Sequence, residues 1–182
     1  MKVIIGGIPG VGKTTVLNVL IKSGIIVENY GDVMLKEAIK MNYVKNRDDL
    51  RKLPIDIQKN IQKKASEYLS GLSSVVIDTH FSIQTPRGFL PGLPPDVLQI
   101  LKPDLFISIE ADPLEVFERR KNDQQRNRDD DSLDKIRRHM EVNRAYGISY
   151  SAMTGSPIMI VMNENGKHEE AADQIIKVIG GK

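Results

Sequence analysis

The chain has 182 residues, 40 % hydrophobic and 27 % charged, a globular balance that excludes a disordered or fibrous protein. It holds no cysteine and only three histidines, which rules out disulfides and thiolate zinc sites and leaves little for a histidine-built metal centre. Its 26 basic and 24 acidic residues leave a formal net charge of +2, too near balance for a dedicated nucleic-acid or membrane-surface binder, so small-molecule partners are expected.

In chain order, Val3-Ile4-Ile5 before Gly6-Gly7 is too short for a secretory signal and reads as a buried strand. No apolar run approaches the ~20 residues of a membrane span, and a soluble, cytoplasmic protein is expected. Lys13 to about Lys22 reads as a helix, with Val16, Val19 and Leu20 on one face. Ile25 to Val27 is a second strand signal, and Gly31-Asp32 a turn and cap for a helix through Met34, Leu35 and Ile39. Arg47 to Tyr68 is the most helical stretch. Pro54 suits a first turn, Ile57, Ile61 and Ala65 recur every fourth residue, and Gly71 closes it.

Val75-Val76-Ile77, ending at Asp78, has the β-branched continuity of a buried parallel strand, and Asp104 to Glu110 is another. Asp112-Pro113-Leu114-Glu115 combines a capping Asp, Pro in the first turn and Glu three residues after the cap. A long helix is expected from near Ser132 to about Met153, with Ile136 and Met140 on its apolar face. Pro157 to Met162 is a last strand, then a turn at Asn163-Glu164-Asn165-Gly166 and a helix through Ala172, Ile175, Ile176 and Ile179. Five strand signals between helices predict an α/β fold, a five-stranded, mostly parallel sheet flanked by helices, within one domain over 1–182. The stretches 30–72 and 119–131 break the apolar alternation and are expected outside the core.

The sharpest motif lies between the first strand and the first helix. Gly7-Ile8-Pro9-Gly10-Val11-Gly12-Lys13-Thr14 matches G-x-x-x-x-G-K-[ST] in its required context, a P-loop. Glycines let backbone N–H groups approach phosphate oxygens, and the helix N-terminus adds positive potential. Lys13 brings a full charge, and the Thr14 hydroxyl is placed to ligate Mg²⁺. A dinucleotide fingerprint fits worse, because Thr15 stands where its last glycine belongs and Lys13 has no use in it. A nucleoside triphosphate is the expected ligand.

Asp78, at the end of a strand expected beside the first, is the candidate carboxylate for Mg²⁺ through its water shell; the plainer role for such a residue is a turn or helix cap. His80 is expected to line a pocket or hold a hydrogen bond, since a phosphate acceptor is already ionised and needs no base. The stretch 119–131 carries five basic and four acidic residues, a short lid or a solvated loop. Phosphoryl transfer relies on positioning and charge neutralisation, and the planar arginine fork suits phosphate. Arg119, Arg126, Arg128 and Arg144 are candidates for such a clamp, with Arg137 and Arg144 seven apart on one helical face. Arg120, Arg137 and Arg138 read equally well as surface side chains.

Over its whole length the chain resembles the archaeal-type adenylate kinases, which are P-loop nucleoside monophosphate kinases. The resemblance rests on GIPGVGKTT at 7–15, NYGD at 29–32, RDDLRKL at 47–53, IDTH at 77–80, TPRGFLPGLP at 85–94, EADP at 110–113, RNRD at 126–129 and the turn Met153-Thr154-Gly155. The segment at 85–94 is the most specific, with Phe89 where that family often has Tyr. The resemblance implies ATP + AMP ⇌ 2 ADP with Mg²⁺ as cofactor, and a P-loop NTPase fold with a monophosphate-binding helical segment at 30–72 and a short lid at 119–131. It also implies a homotrimer.

By position, Gly7 through Thr15 would hold ATP. Gly31, Asp32, Arg51 and the loop from Thr79 through Gly88 to Gly92 would hold AMP. Lys13, Arg119, Arg126, Arg128 and Arg144 would face the phosphates, with Thr14 and Asp78 at the metal. Arg87 stands where the pattern does not demand arginine and reads as solvated. From spacing alone, Arg47 and Arg51 at (i, i+4) put two positive charges on one helical face for an anionic acceptor, unless Arg47 pairs with Asp48 and Asp49. Two other readings stay open. A P-loop kinase for another monophosphate or a hydroxyl-bearing metabolite such as shikimate would, for a hydroxyl, need Asp32 or His80 as base. An ATPase switch would hydrolyse ATP to control a partner.

Overall fold

The computed structural model describes residues 1–50, 52–122 and 132–180. Strand β1 (Lys2–Gly6) lies at the centre of a parallel sheet with β2 (Val27–Asn29), β3 (Val75–Asp78), β6 (Leu105–Glu110) and β7 (Ile158–Met162), in the order β2-β3-β1-β6-β7. These are the five expected strands, and all four pairings are parallel. Successive side chains of a strand point to opposite faces. Val3 and Ile5 therefore join Val76, Ile107 and Ile109 in a core with helix α1 (Lys13–Lys22), α6 (Pro113–Lys121) and α8 (His168–Ile179). Ile4 faces the other way, with Ile77, Phe106 and residues of α2 (Tyr30–Lys40), α4 (Ile55–Ser70), α5 (Pro95–Leu101) and α7 (Leu133–Thr154).

Local boundaries depart from expectation where pairing or capping outweighs hydrophobicity. The second strand is shifted to Val27–Asn29, because register with β3 matches Val27 to Val76 and Asn29 to Asp78, while Ile26 is 59 % exposed. Asn29, not Gly31-Asp32, caps α2: its Oδ1 accepts from the Asp32 N–H at 3.1 Å, which places Gly31 and Asp32 in the first helical turn. The stretch 47–68 is two helices, α3 (Arg47–Leu50) and α4, because Pro54 disfavours helix in the residue before it and so stands outside as the cap of α4. Nor does 30–72 lie wholly outside the core. Tyr30, Val33, Ala65 and Leu69 pack into the core on the Ile4 face of the sheet, and Ala38, Val44 and Ile61 form a small core of their own.

The segment expected as a loop from Thr79 to Gly92 is a β-hairpin of β4 (Ser82–Thr85) and β5 (Gly88–Pro91), followed by α5. Four-residue strands with prolines at 86 and 91 carry little periodicity, so packing specifies the hairpin. Phe81, fully buried, meets Phe106 and Tyr150 edge-on at 6.1 and 5.8 Å between centroids. The Tyr150 hydroxyl donates to the Phe81 carbonyl at 2.6 Å and accepts from the Leu93 N–H at 3.3 Å, which ties both ends of the hairpin to α7. Among the described residues no helix is long and apolar enough to cross a membrane.

Candidate active site

The turn from β1 to α1 carries the glycine motif. Gly10 and Gly12 have φ of +91° and +80°, conformations open to glycine at little expense, and Gly12 is the residue that caps α1. The first N–H groups of α1 therefore point into the turn without intrahelical partners. The Lys13 ammonium lies 2.5 Å from Asp78 Oδ1 and donates to the Thr79 carbonyl at 2.5 Å. Burial pulls the Lys13 pKa below its usual value, and the Asp78 charge and hydrogen bond partly restore it. Asp78 stays in place because Asn29, its register partner on β2, donates Nδ2 to Oδ2 at 2.7 Å. Parallel pairing thus delivers the acid beside the lysine. Thr14 and Thr15 are exposed at the start of α1.

Across from Pro9 opens a cavity of about 320 Å³ lined by Pro9, His80, Ser82, Gln84, Arg120 and His139, among others. The hairpin forms its far wall, and Phe89 stacks obliquely on the His139 ring at 5.2 Å. On the 30–72 side, Arg47 forms an ion pair with Asp32 and lies beside Gly31; it does not turn to Asp48 or Asp49. Gly88, with φ +119°, sits in open space at the hairpin turn, next to exposed Arg87. Gly92 is buried, and a side chain there would overlap the His80 carbonyl, so its identity follows from two backbones in close approach and not from an open nucleotide surface.

The expected clamp is only partly gathered. Arg119 donates through Nη2 to the Asn163 carbonyl at 3.0 Å and to Glu115 at 2.8 Å, and through Nε to Asn165 Oδ1 at 2.9 Å. That frame leaves Nη1 buried beside Gly12 with no hydrogen-bond partner among the described residues. Arg144 is engaged elsewhere. Its guanidinium takes both oxygens of Glu110, one through Nε at 3.0 Å, and Glu110 is itself buried and accepts from Ser108 Oγ. Glu110 holds the Arg144 pKa above its usual value. Arg137 and Arg144 line one recess of about 630 Å³ with Glu110 and Glu115. Arg51, Arg126 and Arg128 lie outside the described residues, as does most of the stretch 119–131 expected as a lid.

Residues 6–137 match a family model described as AAA domain. The chain is 48 % identical over 180 residues to the adenylate kinase of Thermoplasma acidophilum, covering 98 % of each chain. It is 44 % identical to that of Methanothermobacter thermautotrophicus, over 97 % of this chain and 98 % of the other. The chain belongs to the adenylate kinase family. It is an enzyme, a nucleoside monophosphate kinase with the P-loop fold. Among solved structures, shikimate kinase from Bacteroides thetaiotaomicron superposes with a TM-score of 0.64 over 99 % of this chain and 98 % of its own, at 15 % identity. That from Aquifex aeolicus gives 0.59 over 100 % and 97 %, at 23 % identity. These likenesses concern the fold alone.

Within this adenylate kinase framework the structure brings forward two residues that sequence reasoning passed over. Arg120, which reads equally well as a surface side chain, is 9 % exposed and donates Nε and Nη2 to the Pro9 carbonyl at 2.8 and 2.6 Å. Asn163, read only as part of a turn, is buried and donates Nδ2 to the Val11 carbonyl at 2.8 Å. Neither carried a signal, since an arginine pair in a charged stretch and an asparagine after a strand are ordinary. His80 holds the hydrogen bond expected of it, Nδ1 lying 3.0 Å from the Gly7 carbonyl oxygen.

Proposed function

We propose that the two sides of this cleft divide the adenylate kinase reaction, ATP + AMP ⇌ 2 ADP, between them. ATP lays its triphosphate on the turn from Gly7 to Thr15, where the amides of the turn, the α1 N-terminus and Lys13 meet its charge. Arg119 adds a second cation through the buried nitrogen beside Gly12. AMP enters from the 30–72 segment and the hairpin, with Gly31, Asp32, Arg51 and the Thr79–Gly88 stretch around it. Its phosphate faces the γ-phosphorus across the 320 Å³ recess. An AMP oxygen attacks in line, and the bond from the γ-phosphorus to the β–γ bridging oxygen breaks. The acceptor oxygen is already ionised, so no residue removes a proton. Closing the lid over the phosphates with Arg126 and Arg128 excludes water, which would otherwise accept the phosphoryl group.

Asp78 and Thr14 offer the hard oxygen donors that Mg²⁺ prefers. Asp78 Oδ1 meets Lys13 and Oδ2 accepts from Asn29; each carboxylate oxygen carries a second lone pair that would serve the ion or its water. The ion, when bound, neutralises triphosphate charge. Arg144 joins the clamp in this reading only by releasing Glu110. A cytoplasmic location and a homotrimer belong to the same reading, carried by the resemblance; light scattering of the purified protein tests the latter.

The observation that carries the reading is the recess facing the glycine turn. Of the candidate bases for a hydroxyl acceptor, Asp32 is paired with Arg47 and His80 directs Nδ1 at the Gly7 carbonyl; shikimate among the acceptors tests whether either serves as one. Steady-state ADP formation from ATP, with AMP, CMP, UMP or shikimate supplied in turn, is the test. Two ADP should form per AMP consumed; ADP release indifferent to AMP would abandon this reading for an ATPase.

A further inference from the structure

Three carbonyls of the glycine turn are held from outside by side chains of three separate parts of the chain. His80, after β3, holds that of Gly7; Arg120, on α6, that of Pro9; and Asn163, after β7, that of Val11. They are every second carbonyl of the loop. A trans peptide unit is planar, with C=O and N–H pointing opposite ways. Holding the carbonyl of one residue therefore aims the N–H of the next, here Ile8, Gly10 and Gly12.

These are the amides a triphosphate would meet if the turn is the phosphate site, the reading on which this inference rests. Glycine freedom at positions 10 and 12 allows the tight curl, and it equally allows those peptides to rotate. Rotation would scatter the donors, and re-ordering them on binding would weaken affinity.

The bracing side chains are themselves anchored. The Arg120 stem packs 2.9 Å from where a Cβ on Gly10 would stand, with Val116 nearby. Asn163 is fixed at its own backbone, its N–H donating to the Glu110 carbonyl at 2.7 Å, and its amide fills the space that a Gly12 side chain would need. We infer that Arg120 and Asn163, with His80, are positioning residues that preset alternate peptide planes of the turn so that its amides converge on the triphosphate.

The test uses Arg120→Met, which keeps the stem and removes the donors, Arg120→Lys, which keeps one donor, and Asn163→Leu, which keeps the volume. Calorimetry measures MgATP and inorganic tripolyphosphate, the latter having no base or ribose to lose; steady-state kinetics and the melting midpoint accompany it. Arg120→Met and Asn163→Leu should each bind both probes about tenfold more weakly, roughly the effect of one lost ordering interaction. In Asn163→Leu, at a position that does not line the recess, KM for AMP should stay within about twofold, and Arg120→Lys should recover part of what Arg120→Met loses. A purely structural role would lower the melting midpoint and leave the folded variants with wild-type affinity for both probes, and that result overturns the inference. If Arg120→Met fails to fold, Asn163→Leu and Arg120→Lys decide it by the same measurements. Lys13→Met separates the two levels. Should it bind tripolyphosphate as the wild type does, the phosphate site itself is misplaced; should it lose binding while the brace variants keep theirs, only the bracing falls.

Discussion

Lys13, in the glycine turn, and Asp32, in the first turn of α2, are charged groups held very differently. The Lys13 and Asp78 side chains are 11 % and 16 % exposed, Asn29 fixes the acid from behind, and the turn around them is hydrogen-bonded by side chains from three other segments. Asp32 and Arg47 meet in an ion pair with side chains 57 % and 51 % exposed, on a segment whose small core is Ala38, Val44, Ile61 and the residues packed on them. The side assigned to ATP is built before its ligand arrives; the side assigned to AMP has less to hold it. A reaction that gains from orientation and dryness suits this arrangement, with one partner fixed and the other carried in by a softer segment.

The most damaging change on the stiff side is Lys13→Met. It removes the full charge proposed to meet the triphosphate, and turnover should fall at least ~10²-fold, the scale of deleting one preorganised electrostatic stabiliser. ADP production by the folded variant measures it, and near-wild-type turnover would falsify the role given to Lys13. On the hairpin, two glycines separate packing from conformation. Gly92→Ala drives a methyl into the His80 carbonyl, where backbone cannot yield, and should destabilise by at least ~3 kcal/mol. Gly88→Ala meets open space and only the strain of φ +119°, about 1 kcal/mol. Equal denaturant midpoints for the two variants would show that the hairpin base is not the rigid joint inferred from Tyr150, Phe81 and Gly92.

The contrast between the two sides also governs what the sequence made legible. The glycine turn has a fixed-length motif whose spacing follows from phosphate geometry, so its residues could be named one by one, and Asp78 followed from a β-branched strand ending in an acid. The braces could not be found this way. Arg120 and Asn163 lie 111 and 152 residues from the carbonyls they hold, and nothing local marks them. The hairpin was missed because its strands take their order from Tyr150 and Phe81, a long-range contact, and not from their own periodicity. Pro54 is legible as a first turn within 47–68, but the break that leaves α3 a separate short helix before it comes from backbone sterics that the period-four pattern of Ile57, Ile61 and Ala65 does not report. Arg144 had the right residue type and a shared face with Arg137, yet a buried Glu110 opposite it is a tertiary fact.

Alkaline titration probes how the softer segment is attached. Burial, opposed by the hydrogen bond with Ser66, pushes the Tyr30 phenol up to about 12, and its hydroxyl also donates to the Gln62 carbonyl, joining α2 to α4. The phenol thus stays protonated in the folded chain over a range where the unfolded chain ionises, from about pH 10 upward. The stability it contributes is complete below pH 10 and is lost as pH climbs through about 12, on the order of 2 to 3 kcal/mol. Lys13 acts in the opposite sense, since its depressed pKa makes folding easier as pH rises. Tyr30→Phe should therefore flatten the fall in the denaturant midpoint between pH 10 and 12; an unchanged slope would mean that Tyr30 does not limit the attachment.

The smallest expected effect on stability falls on the exposed pair, and there the two measurements should part company. An ion pair so open to water contributes within about 1 kcal/mol, so Arg47→Ala should barely move the melting midpoint, and added salt should matter little to it. If Arg47 and Asp32 stand at the entrance for an anionic acceptor, KM for AMP should nonetheless rise several-fold while KM for ATP holds, because the lost charge lies on one side only. Asp32→Asn sharpens the point by freeing the guanidinium from its carboxylate without removing it. An effect in Arg47→Ala that Asp32→Asn does not share assigns the acceptor's charge to the arginine; equal effects assign it to the pair as a unit, with Arg47 acting on AMP only in the geometry that Asp32 gives it. Unaltered KM for AMP in both would separate this end of the 30–72 segment from the acceptor and move the search to the hairpin wall of the recess.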